Sequence, residues 1–448
     1  MKKICLKSAA AYIALLPMFF LLSSCSDEDY LNTIPSNSIA LTAVDMQRLD
    51  GKNIADKICK TLNIDNIENC GLDLKTKLYI FETQEGNIGL SAKVADEGDL
   101  EKCLNIMAKD GYCQNISKYR DYKFTIIKQS WVAGFSSDAL VVMGPALPAQ
   151  QADLKRQIAR CLGLDADQGI KDTPIFNRLD SIDSPISLVA QAAALPDKFS
   201  MPFTLCAPKD ADASQVMIAA GVEKGENDCL VIRGETFSFN KDINEKIKAS
   251  SNVFRPIKGT YVANMQKNFP IGVFMNVDGR ELISLLHSNK TSQALLAGMN
   301  MAVDMDNIIK SIDGDMAIFL SATGENTDIG MAAQLRDKKF LDDVGYWKQS
   351  CPPGSRITDW DKDAYCYTNG EKSYYFGVSQ DLQFYAGVTE NSARGVLSKS
   401  EPALPAKAMK MINGQRLAVV LNASALFGNG NVLEDFTGNT GTVLFIMK

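Results

Sequence analysis

The stretch Asn87-Ile-Gly-Leu-Ser-Ala-Lys-Val-Ala-Asp96 returns later in the chain as Asp328-Ile-Gly-Met-Ala-Ala-Gln-Leu-Arg-Asp337, at an offset of 241 residues. Apolar residues recur at alternating positions in both versions, which indicates a half-buried β-strand. Each version is followed by apolar residues at helical spacing, over 100–109 and 340–349. The match predicts a strand-then-helix unit that occurs twice.

Three further matches keep the same order along the chain. The first pairs Ile39 to Leu49 with Ile271 to Leu282. The second pairs Gly134, Asp138 and Gly144 with Gly377, Asp381 and Gly387. The third pairs Ile186 to Leu195 with Leu417 to Leu426. The second set predicts a β-hairpin with an Asp-containing turn in each half. Ordered matches with small changes of offset are typical of a duplicated module that differs by loop insertions.

The strand-to-strand links within each half are short, which favours antiparallel pairing. Helical spacing of apolar residues also occurs over 53–62. The sequence therefore predicts an α+β fold of two tandem copies of one module, each an antiparallel meander sheet with helices packed on one face. The expected organisation is a signal peptide (1–24), an acidic tether (25–35), a first module (36–235), a polar, lysine-bearing connector (236–267) and a second module (268–448).

The N-terminus is built like a bacterial secretory signal. Lys2, Lys3 and Lys7 precede the apolar stretch 8–22, which is short for a membrane span. Leu22-Ser23-Ser24-Cys25 resembles a lipobox, and the resemblance implies cleavage before Cys25 and acylation of that residue. Two or more acyl chains hold a water-soluble body stably at a bilayer. The alternative is an ordinary secreted protein with a cysteine near its cleavage site.

The residues after the anchor, Ser26, Asp27, Glu28 and Asp29, show no helix or strand pattern, so we interpret them as a solvated tether. The run is similar to the export signal that carries Bacteroidetes-type lipoproteins to the cell exterior, and Ser26 resembles the default for outer-membrane sorting. These likenesses predict a lipid-anchored outer-membrane protein that faces outward. The alternative is a plain acidic linker of an inward-facing lipoprotein.

Bulk composition narrows the class of partner. The 448 residues carry 47 basic and 53 acidic side chains, a formal charge of −6, which disfavours nucleic acid. Hydrophobic residues at 46% and charged residues at 22% are globular proportions, and the length exceeds one typical core. We expect two or more domains, membrane contact through the lipid on Cys25, and an unknown protein or glycan partner.

Of the 11 cysteines, Cys5 lies in the signal and Cys25 at the anchor. The remaining ones form close pairs that could be local disulfides in an exported chain, with Cys161 left over: Cys59/Cys70, Cys103/Cys113, Cys351/Cys366 and, less surely, Cys206/Cys229. They could equally be small buried hydrophobic residues. No pair has the spacing of a zinc site, and the chain has one histidine.

Alternating carboxylates in Asp359-Trp-Asp-Lys-Asp363 resemble the opening of a calcium loop. Ala364 and Gly370 occupy the positions of the turn glycine and the bidentate glutamate, so a polar hairpin turn between strands is the better interpretation. Asp313-Gly-Asp315 is a weaker version, which we interpret as a turn or helix cap.

No catalytic, cofactor-binding or metal-binding residue is predicted. His287, the single histidine, lies on a helix with no acidic or cysteine partner in register. The patterns of common serine hydrolases, zinc proteases and P-loop enzymes do not occur. Two carboxylates suffice for glycoside hydrolysis, so a carboxylate-dependent glycan hydrolase remains the alternative.

Aromatic residues concentrate in the two matched hairpins. They are Trp131, Tyr374, Tyr375, Phe376, Phe384 and Tyr385. Facing outward they would form a platform for a sugar or peptide, whereas such residues more often belong to a core.

The chain resembles an uncharacterised Bacteroidetes lipoprotein family, the domain of unknown function 4836. The resemblance rests on the lipobox with its acidic run, the opening from Ile34-Pro35 to Val44-Asp45, the Val277-Asp278-Gly279 turn and the segment from Asp304 to Asp315. It implies a cell-envelope protein of repeated architecture without an assigned activity, and it carries no functional residues. The function we expect is a non-catalytic binding or structural role at the cell surface.

Overall fold

The computed structural model of the chain describes residues 28–49, 70–195, 204–208, 211–225, 229–266, 269–288, 293, 303–323, 326–370, 372–399, 404–422 and 441–447. The predicted helix over 53–62 lies outside these residues. The chain divides into two compact units, one ending at Leu179 and the other beginning at Asp180. This division comes well before the predicted connector at 236–267.

Unit 1 contains an antiparallel sheet with the strand order β1-β2-β3-β7-β6-β5-β4. Its strands are β1 (Ala40–Val44), β2 (Leu78–Glu82), β3 (Ile88–Lys93), β4 (Ser117–Tyr119), β5 (Tyr122–Ile127), β6 (Trp131–Phe135) and β7 (Ala139–Gly144). Its helices are α1 (Glu97–Lys109), α2 (Gln151–Cys161) and α3 (Pro174–Asp180), with 3-10 helices at Asp29–Thr33 and Pro148–Gln150. Short links join β2 to β3, β4 to β5, β5 to β6 and β6 to β7, which favours antiparallel pairing as the sequence predicts.

Helix α1 shows how local sequence sets an element's bounds. The Asp96 side chain accepts a hydrogen bond from the Asp99 N–H at 2.8 Å and so caps the first turn. Gly111 adopts the left-handed conformation, with φ of +78°, and so ends the helix after its last turn. The buried side chains form one stripe: Leu100, Cys103, Leu104 and Met107. The helix predicted over 100–109 is confirmed and begins three residues earlier.

Helices cover both faces of this sheet, so the prediction of helices on one face is wrong. Neighbouring strand residues point to opposite faces. A Cβ on Gly134 would lie 2.6 Å from Ile158 of α2, whereas Phe135 packs in the same apolar cluster as Leu100 and Leu104 of α1. Strand β7 is buried at nearly every position, which requires cover on both sides.

Unit 2 contains a larger sheet with the order β8-β9-β10-β20-β19-β12-β13-β14-β18-β17-β16-β15. Its strands are β8 (Ile186–Gln191), β9 (Met217–Lys224), β10 (Leu230–Phe237), β11 (Phe254–Arg255, paired with β12), β12 (Ile271–Asp278), β13 (Ile312–Thr323), β14 (Asn326–Leu335), β15 (Arg356–Asp361), β16 (Ala364–Thr368), β17 (Ser373–Val378), β18 (Gln383–Gly387), β19 (Leu417–Asn422) and β20 (Thr442–Met447). Strands β10 and β20 run parallel, and the other described pairs are antiparallel.

The described helices of unit 2 also pack on both sides of the sheet. They are α4 (Lys241–Ser251), α5 (Gly279–Ser288), α6 (Met305–Lys310), α7 (Val344–Ser350), α8 (Glu390–Gly395) and α9 (Ala406–Ile412), with 3-10 helices at Ala192–Ala194, Val262–Asn264 and Lys339–Asp343. Met316 packs in the cluster that holds α5, α6 and α7, and its neighbour Ala317 packs in the cluster that holds α8 and α9. The architecture is therefore α+β with large antiparallel sheets covered on two faces.

The stretch predicted as a polar connector, 236–267, is an integral part of unit 2. It contains the end of β10, helix α4 and strand β11. Seven of its apolar residues are buried: Ile247, Val253, Phe254, Ile257, Tyr261, Val262 and Met265. The lysines that suggested a connector lie mostly on α4, of which Ile247 alone among the described side chains is buried.

The seven-strand order of unit 1 recurs in unit 2 as β12-β13-β14-β18-β17-β16-β15. Gly89 lies opposite Met143, and Gly330 lies opposite Gly387. The turn between β6 and β7 has three residues and the turn between β17 and β18 has four. Because of this extra residue, Gly387 takes the place of Met143, and the predicted match of Gly144 with Gly387 is displaced by one position.

Candidate functional site

The residues that follow the predicted lipidation site fold onto unit 1. Residues 25–27 lie outside the described part of the chain, and Glu28 is its first residue. A 3-10 helix begins at Asp29, and three apolar side chains from this stretch are buried: Tyr30, Leu31 and Ile34. The interpretation of 25–35 as a solvated tether is therefore wrong from Asp29 onward, because these apolar groups gain by leaving water.

The polar groups of this N-terminal segment, residues 28–39, have partners inside unit 1. The Tyr30 hydroxyl donates to the Lys77 carbonyl at 2.9 Å, and the hydroxyls of Thr33 and Ser91 lie 2.8 Å apart. Ser91 also donates to the Tyr30 carbonyl at 3.2 Å. Burial raises the pKa of Tyr30 from its ordinary 10.0 to about 12, because a phenolate would lose its hydration. The segment is a satisfied part of the core.

The loop over 165–171 fixes the outer side of the N-terminal segment. The Lys171 ammonium lies 2.6 Å from the Glu28 carboxylate, and this hydrogen bond raises the pKa of Lys171. The Ser36 N–H donates to the Gln168 carbonyl at 3.1 Å. A Cβ on Gly169 would lie 2.7 Å from the Asn32 Cα, so the close approach requires glycine. Two residues of the predicted sorting signal, Glu28 and Asp29, thus belong to the folded body.

Unit 2 has a counterpart segment, described over residues 260–266 and 269–270, which precedes β12 as the N-terminal segment precedes β1. At one offset of 231 residues, its buried side chains Tyr261, Val262, Asn264 and Met265 match Tyr30, Leu31, Thr33 and Ile34. The Tyr261 hydroxyl and the Asn264 side-chain oxygen have no hydrogen-bond partner among the described residues. Burial, followed by the negative charges of Asp315 and Asp381, raises the pKa of Tyr261.

A bulge in β13 accompanies the unbonded Tyr261 hydroxyl. The pairing of β13 with β14 shifts register between Ile312 and Met316, and Gly314 has φ of +148°. Asp315 lies at this bulge and is 2% exposed. Its carboxylate accepts three hydrogen bonds: from the Lys258 N–H at 3.0 Å, the Thr260 N–H at 2.8 Å and the Asn276 amide at 2.8 Å. Asp313-Gly-Asp315 therefore lies within a strand, and its interpretation as a turn or helix cap is wrong.

Two further carboxylates beside this bulge are neutralised by arginines. Asp278 and Asp313 lie opposite each other on β12 and β13. Arg336 lies 2.8 Å from Asp278 and 3.4 Å from Asp313, and Arg255 lies 2.9 Å from Asp313. Burial alone would raise the pKa of Asp313, but the two arginines lower it overall. The arginines therefore favour the ionised form of Asp313.

The predicted polar hairpin over 359–363 is confirmed as the turn between β15 and β16. Its three carboxylates face three separate cations: Asp359 lies 2.7 Å from Lys348, Asp361 lies 2.8 Å from Arg394, and Asp363 lies 2.7 Å from Lys338. In the described part of the chain, no group of three or more metal-ligating side chains converges. The carboxylates here serve to tie the hairpin to α7, α8 and the strand end at β14.

Half of the candidate aromatic platform belongs to the core. Phe376, Phe384 and Tyr385 are buried, while Tyr374 is 41% exposed. Trp131 and Tyr375 are half-buried. The Arg394 guanidinium covers the Trp360 ring at 4.4 Å, which leaves that face unavailable for stacking on a sugar.

His287 has an acidic partner that its own helix does not supply. Its Nε2 lies 2.8 Å from Asp306 on α6, so the two helices are joined by this contact. Sequence reasoning missed Asp306 because the partner comes from another element. Both side chains are partly exposed, and among the residues that the structure describes the pair is not part of a group of three or more metal-ligating side chains.

Eight cysteines lie in the described residues, and no two of them are joined by a disulfide; Cys59, the predicted partner of Cys70, lies outside these residues. The Cys113 thiol donates to the Leu104 carbonyl at 3.3 Å, and the Cys351 thiol donates to the Trp347 carbonyl at 3.2 Å. Cys206 and Cys229 belong to different apolar clusters, so that predicted disulfide pair is not brought together. Burial raises the pKa of Cys161, Cys206 and Cys229 to about 11, as expected for small buried hydrophobic residues.

The chain belongs to the family called Domain of unknown function (DUF4836), whose profile matches residues 32–399. The match spans most of both units, from the N-terminal segment to helix α8. A comparison with curated proteins finds no match. Among the described helices, none is both long and apolar enough to cross a bilayer.

Solved structures of one protein, TP0453, are similar at very low identity. Crystal form III matches at 8% identity with a TM-score of 0.28, covering 82% of this chain and 96% of that chain. Crystal form IV matches at 9% identity with a TM-score of 0.27, over the same shares of both chains. Crystal form I matches at 9% identity with a TM-score of 0.23, covering 82% and 94%. These scores carry no argument about activity.

Proposed function

We propose that the protein is a lipid-anchored outer-membrane lipoprotein of Bacteroidetes type that faces the cell exterior. The observation that carries this proposal is the lipobox ending at Cys25, behind an n-region of lysines and an apolar stretch. The acidic run from Ser26 to Asp29 supports outward export. Acylation at Cys25 would provide stable attachment of the two units to a bilayer.

We further propose that the protein has no catalytic activity and acts by binding a protein or glycan partner or by a structural role. A retaining or inverting glycosidase needs one carboxylic acid with a raised pKa beside an ionised carboxylate. Asp278 and Asp313 face each other on β12 and β13, and the arginines that contact them favour ionisation of Asp313. The lowered pKa of Asp313 disfavours glycan hydrolysis at this pair.

The two-copy interpretation of the chain also belongs to this proposal. Its support is the seven-strand order common to both units and the shared places of Phe81 and Phe319 in strands β2 and β13. The matching segments that begin with Tyr30 and Tyr261 add to that support. Two copies of one module would present two related but unequal surfaces to partners.

The test is fractionation of cells that produce either the natural chain or the Cys25→Ala variant. We expect the natural chain in the outer membrane, with acylated Cys25 detected by mass spectrometry, and the variant outside the membrane fraction. A variant that stays with membranes would contradict the anchor. A pull-down from envelope extracts with the anchored form, assayed in parallel for polysaccharide cleavage, tests the binding role; cleaved polysaccharide would contradict the non-catalytic part.

A further inference from the structure

The chain between the predicted lipid and the folded body is very short. Glu28 is held by Lys171, and the 3-10 helix begins at Asp29. Only Ser26 and Asp27 therefore separate Cys25 from residues that are part of unit 1. Three residue steps span at most about 11 Å, even when fully extended.

A span of this length is small compared with the protein, and it exceeds the thickness of a lipid headgroup layer by only a few Å. Headgroup and interfacial layers add roughly 5–8 Å to each side of the hydrocarbon core. An acyl chain that begins at Cys25 must enter this layer, so Glu28 cannot lie far above it. The linker between Cys25 and Glu28 is too short to let unit 1 move away from the bilayer.

We propose that unit 1 is held directly against the lipid headgroups by the surface around Glu28, formed by the 3-10 helix Asp29–Thr33 and the loop 165–171. The partner is the headgroup surface of the bilayer that takes up the Cys25 lipid. This inference rests on the proposed lipid anchor. It replaces the expected flexible tether with a fixed attachment face.

The N-terminal segment also determines which side of unit 1 lies away from the membrane. Thr33 contacts Ser91, whose side chain points to the sheet face opposite Ala92. Ala92 packs in the cluster with α1. Helix α1 therefore covers the opposite face, separated from the attachment surface by the sheet and by two layers of side chains. Each such layer adds roughly 10 Å between packed elements.

The experiment compares two fluorophore positions on the acylated chain in vesicles whose lipids carry a headgroup quencher. Ala166→Cys places the probe on the exposed part of the loop, and Lys109→Cys places it at the exposed end of α1. Both are made with Cys59 and Cys351 replaced by alanine, and the unsubstituted background corrects for labelling of the other thiols. We expect quenching at position 166 to be several-fold stronger than at position 109.

A linker variant makes the test specific for the short attachment. Twenty Gly/Ser residues inserted between Asp27 and Glu28 give a root-mean-square reach of about 25 Å. We expect the ratio of quenching at the two positions to fall toward one. The same insertion placed after Gly354, an exposed position far along the chain from both probes, is the matched control and should leave the ratio unchanged.

The outcomes separate this inference from the anchor on which it rests. Chains that float with vesicles but show equal quenching at positions 166 and 109 would overturn the attachment face and leave the anchor intact. Chains that fail to float with vesicles although fully processed would overturn the anchor, and the attachment face with it. If the quenching ratio of positions 166 and 109 is unchanged by the linker, the surface alone sets the orientation. This result would contradict the role of the short attachment.

Discussion

The N-terminal segment of unit 1 and the counterpart segment of unit 2 bury similar side chains but differ in how many of their buried polar groups are hydrogen-bonded. Each places a buried tyrosine and a buried apolar residue ahead of a strand: Tyr30 with Ile34 ahead of β1, and Tyr261 with Met265 ahead of β12. In unit 1 the tyrosine hydroxyl has a carbonyl partner, and in unit 2 it has none among the described residues. Apolar burial is retained in both places, while hydrogen bonding differs.

The difference follows from two changes in the neighbouring strands. Thr33 faces Ser91 in unit 1, but the position of Ser91 is held by Ala332 in unit 2, which cannot bond to Asn264. The bulge in β13 puts the buried Asp315 at the place of Lys77, and Asp315 takes its hydrogen bonds from backbone N–H groups and Asn276. The hydrophobic effect does not depend on direction, so apolar burial is kept when neighbouring residues change. A hydrogen bond requires a partner at a particular distance and angle, so it is lost.

Ile34→Ala and Met265→Ala should have the largest effects, because both side chains are almost completely buried. We expect each to lower the free energy of unfolding by about 2–5 kcal/mol, from lost burial and the cavity left behind. Urea unfolding of the mature chain measures this. Equal losses would support equivalent roles for the two segments; a loss below about 1 kcal/mol at either site would contradict its place in the core. Exposed Lys109→Ala serves as the control.

Replacing each tyrosine by phenylalanine should separate the segments. Tyr30→Phe removes the hydrogen bond to the Lys77 carbonyl and should cost about 1 kcal/mol. Tyr261→Phe removes a buried hydroxyl without a described partner and should be neutral or stabilising by about 1 kcal/mol. The measurement is again urea unfolding, with the two variants compared directly. Equal destabilisation would show that Tyr261 has a hydrogen bond in solution, for example to a buried water.

Substitutions on β3 and β14 test the same difference in hydrogen bonding by changing the strand residues that face the two segments. Ser91→Ala removes the contact between Ser91 and Thr33 and should destabilise by about 1 kcal/mol. Ala332→Ser offers a donor near Asn264, and we expect a stabilisation of up to about 1 kcal/mol. Thermal melts of both variants provide the readout. Ala332→Ser losing stability would mean that its added atom crowds the core instead of bonding.

Alkaline titration should expose the buried phenol of the N-terminal segment. The pKa of Tyr30 is raised from 10.0 to about 12, so the neutral phenol is the form that favours folding. The stability it contributes is complete below pH 10 and is lost as the pH rises toward 12. We expect Tyr30→Phe to reduce the loss of folded protein over this range, as followed by circular dichroism. An unchanged alkaline profile in the variant would contradict the burial of Tyr30.

Lys171→Gln should have the smallest effect. The pair with Glu28 is partly exposed, with 33% and 56% of the side chains accessible, and such pairs contribute about 0–1 kcal/mol. We expect a change in unfolding free energy within about 0.5 kcal/mol, decreasing further at high salt. A loss larger than about 2 kcal/mol would show that this pair, and not the apolar side chains, holds the segment.

The sequence predicted local elements well and placed the two segments wrongly. Helix α1 and the hairpin at 359–363 could be predicted because caps, spacing and turn residues act over a few positions. Acidic residues indicate a tether and lysines indicate a connector at these two places, although Tyr30-Leu31 and Tyr261-Val262 recur at the same 231-residue offset as Ile186 and Leu417. That repeated spacing was the available signal.

The sequence by itself determined the α+β class, the short antiparallel links and the motif at Cys25, because periodicity and local motifs are written in neighbouring residues. Tertiary structure alone decided that helices cover both faces and that Asp306 meets His287. It also decided that the chain after Asp27 is folded onto unit 1. These features depend on which distant groups complete a buried surface, and a linear pattern contains no distances between them.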